Sequence, residues 1–179
     1  MSPSVIRTQA LVKISLFAVL TYIGSLIQIP MYPTPVTLQT FFVMLSGMFL
    51  GPVYGAISQI VYMFMGLVGL PVFSGGGGIG YVLHPSFGFI LGFIILAFFC
   101  GLGKGKFDLL WIIAGNIVLY LVGTTYIWYI VNNVMGSSVT LLNTIKGMVI
   151  FLPGDIVKMI VAVGLVRKVS RNLRSNPKQ

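Results

Sequence analysis

Charge is what this sequence has least of. Its 179 residues include two acids, one histidine and one cysteine, and 7% of positions are charged. Soluble domains carry about 25% charged residues, so a soluble globule is excluded. The lone cysteine, Cys100, lies in an apolar run, which leaves no disulfide framework and no cysteine metal site. The lone histidine, His84, has no second histidine with which to hold a metal, and it reads as a surface loop residue. The acids are Asp108 and Asp155. If the apolar segments around them span a bilayer, the two fall on opposite sides and cannot act as an acid–base pair. Hydrolase and transferase chemistry has little to work with. The chain does not read as an enzyme, and no cofactor or metal is expected.

What is present is apolar, 57% of all residues. Apolar segments run over 8–29, 36–50, 52–70, 86–103, 108–133 and 141–168, and runs of this kind are the mark of membrane-spanning helices. The expected fold is an all-α integral membrane protein, a six-transmembrane-helix bundle forming one domain over 1–179, with a polar, frayed tail from 172. The first run is long enough to span and no small-residue cleavage pattern follows it, so it reads as a helix rather than a signal. The second and third are separated only by Gly51-Pro52 and predict a tight helical hairpin. The sixth is too long for one straight span and contains Pro153-Gly154. Proline lacks a backbone donor and favours a first helical turn, which predicts a short helix near 141–151 and a span over 154–168. Gly47, Gly51 and Gly55, and again Gly88 and Gly92, recur at the four-residue spacing that lets helices approach closely in lipid.

The net charge of +9 does not require a nucleic-acid partner. Arg7 and Lys13, Lys104 and Lys106, and Arg167, Lys168, Arg171, Arg174 and Lys178 all fall on one side of six spans. Basic residues concentrate on the cytoplasmic side. Both termini are therefore expected in the cytoplasm of a multi-pass cell-membrane protein, with the bilayer as its surroundings. The loops at 30–35 and 71–85 then lie outside, and they carry no Lys, Arg, Asp or Glu.

The outer loop contains "GLPVFSGGGGIGYVLHPSFG". Its run Gly75, Gly76, Gly77 and Gly78 is not a phosphate cradle, which needs G-x-x-x-x-G-K-[ST]. A slack linker is one reading. Pro71, Phe73, Tyr81, Pro85 and Phe87 bracket the run, and a linker has no use for them. An extracellular Gly-rich loop that folds closely over a ligand is the preferred expectation.

Two charges sit where lipid should be. Asp155 and Lys158, in "FLPGDIVKMIVAVGL", share a helix face, and Asp155 lies roughly 20 Å above Lys168 at 1.5 Å per residue. A charge at such depth costs about 2.5–3.5 kcal/mol, so it faces an interior or wet cavity and marks a site by default. A self-neutralised pair that only locks helices is the other reading. Pro153-Gly154 favours the site, because free amides at a helix start can point at a ligand. Thr37 and Gln39, Gln59 and Tyr62, and Asn116, Tyr120, Thr124, Tyr126 and Trp128 could complete an outward cavity with polar and aromatic walls, suited to a small polar ring with an apolar part.

The stretch "PTPVTLQTFFVMLSGMFLGPVYGAISQIVYMFMGLVGLPVFSGGGGIGYVLHPSFGFILGF", followed by "LPGDIVKMIVA", closely resembles the BioY family, the biotin-binding S components of energy-coupling factor (ECF) transporters. The resemblance covers about residues 10–170. It implies six helices and an outward biotin site roofed by loops. It carries the family's Asp and Lys onto Asp155 and Lys158, its glycine-rich loop onto Gly75–Gly78 and Tyr81, and a helix 5 polar position onto Asn116. The implied function is a biotin-binding membrane subunit that captures biotin from outside a bacterial cell. ATP-driven uptake would need two kinds of partner, a coupling transmembrane protein and an ATPase pair. Biotin is then the transported ligand, not a cofactor. Helix 1 of S components often carries A-x-x-x-A for docking on the coupling subunit; here the nearest match is Ile14 and Ala18. A self-sufficient secondary biotin carrier is the alternative, since Asp155 could carry a coupling proton. A small membrane enzyme is a third reading, disfavoured by the scarcity of ionisable groups.

Overall fold

The computed structural model describes residues 3–32, 34–103 and 108–175. Lys104, Lys106 and Lys178, used above in the charge argument, lie outside the described residues.

The chain folds as helices α1 (Pro3–Leu26), α2 (Gln39–Leu50), α3 (Pro52–Leu67), α4 (Phe87–Leu102), α5 (Asp108–Asn133), α6 (Leu141–Met148) and α7 (Leu152–Ser175). A 3-10 turn over Val149–Phe151 joins α6 to α7, so the expected break near Pro153 falls a little earlier and Pro153 sits in the first turn of α7. Counted with this join, the α-helical runs among the described residues number six, and a separate 3-10 turn covers Ile79–Leu83. Three stretches, Arg7–Leu26, Asp108–Asn133 and Leu141–Asn172, are long and apolar enough to cross a membrane by themselves; α2, α3 and α4 are shorter apolar helices. The C-terminal helix reaches Ser175, past the expected start of fraying at 172.

α1 stops short of its expected end at 29. Gln28–Ile29 (β1) instead pairs antiparallel with Val36–Thr37 (β2), a small hairpin that the helix-only expectation did not contain. α2 consequently starts late, at Gln39, and is only about 18 Å long at 1.5 Å per residue. The space above its N-terminus is roofed by the hairpin.

α4 is central, packed against α2, α3 and α5, while α7 lies mainly along α2 and touches α5 lightly. Leu96, Ala97 and Cys100 of α4 are buried in the core with Met44 of α2 and Ile112 and Leu119 of α5. The close-packing expectation holds at four of the five glycines. A Cβ on Gly47 would lie 2.1 Å from Ala97 O, one on Gly55 2.7 Å from Gly47 Cα, and ones on Gly88 and Gly92 2.2 Å and 2.6 Å from Tyr126 and Leu119. Gly51 differs. A Cβ on it would meet nothing within 4 Å, although one on Gly101 would lie 2.4 Å from Gly51 C; its φ of +82° makes the turn between α2 and α3, with Pro52 opening the next helix. Large apolar side chains cover the outside, among them Leu11, Val12, Leu16 and Val19 of α1 and Ile156, Val157 and Ile160 of α7, as a lipid-facing surface requires.

The glycine loop is ordered. Phe73 and Gly76 exchange backbone hydrogen bonds of 2.9 and 3.2 Å, and Gly78 N–H donates to Gly66 O at 2.7 Å. Gly75, Gly76 and Gly78 have left-handed φ of 105°, 143° and 96°, and a Cβ on Gly77 would lie 2.1 Å from Leu70 O. The close approach is thus to the loop's own chain. Phe73 anchors the turn in the core, 4.7 Å from Tyr81 and 5.6 Å from Tyr62 between ring centroids.

Candidate functional site

Asp155 lies in the first turn of α7 and is 6% exposed. Lys158, one turn on, donates to Asp155 Oδ1 at 2.6 Å, to Thr37 O at 2.8 Å and to Thr40 Oγ1 at 2.9 Å. Thr40 Oγ1 also donates to Asp155 Oδ1 at 3.2 Å, and the Tyr120 O–H donates to Asp155 Oδ2. An ammonium has three protons and a carboxylate about four lone-pair positions. Lys158 is therefore saturated, and Asp155 keeps one acceptor position, on Oδ2. The pair neutralises itself, which removes most of the cost of a lone charge in apolar surroundings.

Beside the pair is a small cavity of about 50 Å³, bounded by Thr34, Pro35 and Thr37 of the β1–β2 hairpin, Gln39 and Thr40 of α2, Ser74, Tyr81 and Ser86 of the glycine-rich loop segment between α3 and α4, and Phe89, Phe93, Leu119, Tyr120 and Phe151. Its polar groups are held from behind. The Thr37 hydroxyl donates to Gln39 Oε1 at 2.9 Å, Gln39 Nε2 donates to the Tyr62 hydroxyl at 2.6 Å, and Tyr62 donates to Val72 O at 2.9 Å. Thr34 and Ser86 share a 2.7 Å hydroxyl contact. Tyr81 donates to Ser74 O at 2.8 Å, and burial raises its phenol pKa, so it stays a neutral donor.

Two further spaces adjoin this one. An outer cavity of about 290 Å³ shares Pro35 and Ser74 with it and is bounded also by Gln28, Tyr32, Gly75, His84 and Met135. A lateral groove of about 480 Å³ runs between α5 and α6–α7, lined by apolar side chains such as Ile113, Ile117, Leu121, Ile145 and Met159. It shares Tyr120 and Asp155 with the inner cavity.

The expected residues divide accordingly. Thr37, Gln39, Tyr81, Asp155 and Lys158 come together at the inner cavity. Gly75 borders the outer one, while Gly76, Gly77 and Gly78 border neither and shape the roof turn. Asn116 lies in the lateral groove instead. Its Nδ2 donates to Ile112 O at 2.8 Å, and its buried Oδ1 has no hydrogen-bond partner. Of the other polar candidates, Thr124 lines the same groove, Gln59 belongs to a buried network with Thr21, Ser46 and Ser58, and Trp128 donates to Val139 O at 3.0 Å. Tyr126 donates to Val82 O. Ile14 and Ala18 are buried, at 6% and 0% exposure, so in this conformation they offer no docking surface; Leu11, Val12, Leu16 and Val19 face out from α1 instead. Thr34, Thr40, Ser74 and Ser86 were not expected. Thr40 is the important omission, since it touches both members of the ion pair.

The BioY family model matches residues 1–175. A probable biotin transporter BioY of Pyrococcus horikoshii is 38% identical over 160 residues, covering 89% of this chain and 94% of that protein. A biotin transporter BioY of Thermotoga maritima is 32% identical over 167 residues, covering 90% and 95%. Among solved structures, that of the S-component for biotin from an ECF-type ABC transporter matches with a TM-score of 0.83 at 27% identity, over 96% of this chain and 95% of that one. With its sequence matched almost end to end, and its helical architecture shared with that membrane component, the chain belongs to the BioY family.

Proposed function

We propose that this chain is the membrane subunit that captures biotin from outside the cell for ATP-driven uptake by an ECF-type transporter. The observation that carries the reading is the single acceptor position left on Asp155 Oδ2, beside a cavity with polar and aromatic walls. Biotin's ureido ring offers N–H donors and a carbonyl acceptor. One ureido N–H suits that open position on Asp155. Lys158 pairs with Asp155, and donating to a ligand oxygen would require it to release Thr37 O. Phe89, Phe93 and Phe151 supply apolar contact for the sulfur-containing ring.

The inner cavity, at about 50 Å³, is well below the roughly 300–1,000 Å³ of small-molecule pockets. Binding therefore includes an outward movement of the roof, made of the β1–β2 hairpin, the turn at Gly75–Gly78 and Tyr81. Thr37 belongs to that roof through the hairpin, and Gln39, at the start of α2, belongs to the floor of the site. Asn116 joins through the lateral groove, where its unpartnered oxygen is a free acceptor.

In this reading both termini are cytoplasmic and the glycine loop is outside, as the basic residues favour. The sequence carries no P-loop motif, so the energy comes from partners, a coupling transmembrane protein and an ATPase pair. Biotin uptake into proteoliposomes, with and without such a module, tests the reading. Uptake only with module and ATP is expected; equal uptake by the chain alone would make it a self-sufficient carrier.

A further inference from the structure

Lys158 has no proton to spare, because Asp155 Oδ1, Thr37 O and Thr40 Oγ1 take all three. A ligand that places a polar ring at Asp155 and ends in a carboxylate, as biotin does, needs a donor for that end elsewhere. The outer cavity is the adjoining polar space. The segments that border it, 27–38, 68–86 and 133–140, contain no Lys, Arg, Asp or Glu. Among its bordering residues, Tyr32 and His84 are the titratable ones; Tyr81, Tyr120, Asp155 and Lys158 border the inner cavity, and Lys146 is exposed on α6 and borders neither.

His84 is held in one orientation. Its Nδ1 accepts the Ser86 N–H at 3.2 Å, and its ring stacks on Tyr81 with centroids 4.6 Å apart and planes 20° from parallel. Its backbone is extended, as the following Pro85 requires. An imidazole whose Nδ1 accepts carries its proton on Nε2. The Tyr81 ring against which it stacks borders the inner cavity, so His84 stands where one cavity passes into the next.

We propose that His84 is a specificity residue of this site. Its Nε2–H donates to the ligand's carboxylate in the outer cavity, so the ligand lies with its ureido ring inward and its acid outward. This rests on the biotin reading above. It makes His84 the reason the acid is preferred over a neutral analogue of the same length.

The test is calorimetric titration of the purified chain in nanodiscs with biotin and with biotinol, in which a hydroxymethyl group replaces the carboxylate. Wild type, His84→Ala and His84→Gln are compared. Wild type is expected to prefer biotin by about tenfold or more, the worth of one charge-assisted hydrogen bond. His84→Ala should lose about that factor for biotin with biotinol unchanged, and His84→Gln, which retains an N–H donor, should recover part of it. A biotin preference that survives in His84→Ala overturns the proposal. An equal loss for both ligands also overturns it, since His84 would then serve only the fold of the loop. If wild type binds neither ligand, the biotin reading itself fails, a result distinct from either.

Discussion

Tyr120 on α5 donates its O–H to Asp155 on α7 across a boundary where the two helices otherwise touch little. Both residues border the inner cavity and the lateral groove, so this hydrogen bond is the partition between the two spaces. It also occupies one position on Asp155 Oδ2 and leaves the other open.

Removing the phenol should loosen that partition. Tyr120→Phe is expected to destabilise the protein by about 1–2 kcal/mol, toward the upper end for hydrogen bonds inside membrane proteins because the acceptor is charged. Thermal unfolding in detergent measures it. Unchanged stability would mean that the bond contributes nothing in solution.

The glycine loop offers a comparison within one segment. Gly77→Val would push a side chain into Leu70 O, whereas a Cβ on Gly80 meets nothing within 4 Å. Gly77→Val is expected to lose about 1–3 kcal/mol of stability, the range of overpacking changes, and biotin affinity with it. Gly80→Ala should change neither. If both variants behave like wild type, the loop is slack and has no part in roofing a site.

Much of this architecture was legible in the sequence because lipid leaves few options. Apolar runs gave the helices, and Pro153 with Gly51-Pro52 gave the breaks between them. Asp155 and Lys158 stood out because charge is costly at their depth. The β1–β2 hairpin was not legible, since Gln28–Ile29 continues the apolar run of α1 and two-residue strands carry no alternation to read. Thr40 was missed for a different reason. It meets Asp155 across 115 residues of chain, and nothing local distinguishes it from other threonines until α2 and α7 are packed. Ile14 and Ala18 could be found by motif, but the motif does not say which way the face of α1 turns.

Orientation is open to direct chemistry. In a Cys100→Ala background, a membrane-impermeant maleimide applied from outside should label Ile79→Cys, whose native side chain is 74% exposed beside the glycine turn. It should miss Ser170→Cys near the C-terminus. The reverse pattern would put the proposed site on the cytoplasmic face and remove capture from outside.

Energy supply separates this chain from an autonomous pump. The purified protein should bind biotin and hydrolyse no ATP. Hydrolysis that persists after every partner has been removed would refute a division of labour between capture and energising subunits.

The central claim is that Asp155 and Lys158 form a binding site and not only a helix lock. A cycle of Asp155→Asn, Lys158→Gln and the double variant, with thermal stability and biotin affinity both measured, tests it. Each single change leaves a buried partner unmatched and is expected to cost about 3–5 kcal/mol. The double variant should regain stability yet bind biotin about 10–100-fold more weakly, the worth of a charge-assisted hydrogen bond to ligand. A stable double variant with wild-type affinity would contradict the account and leave the pair a lock alone.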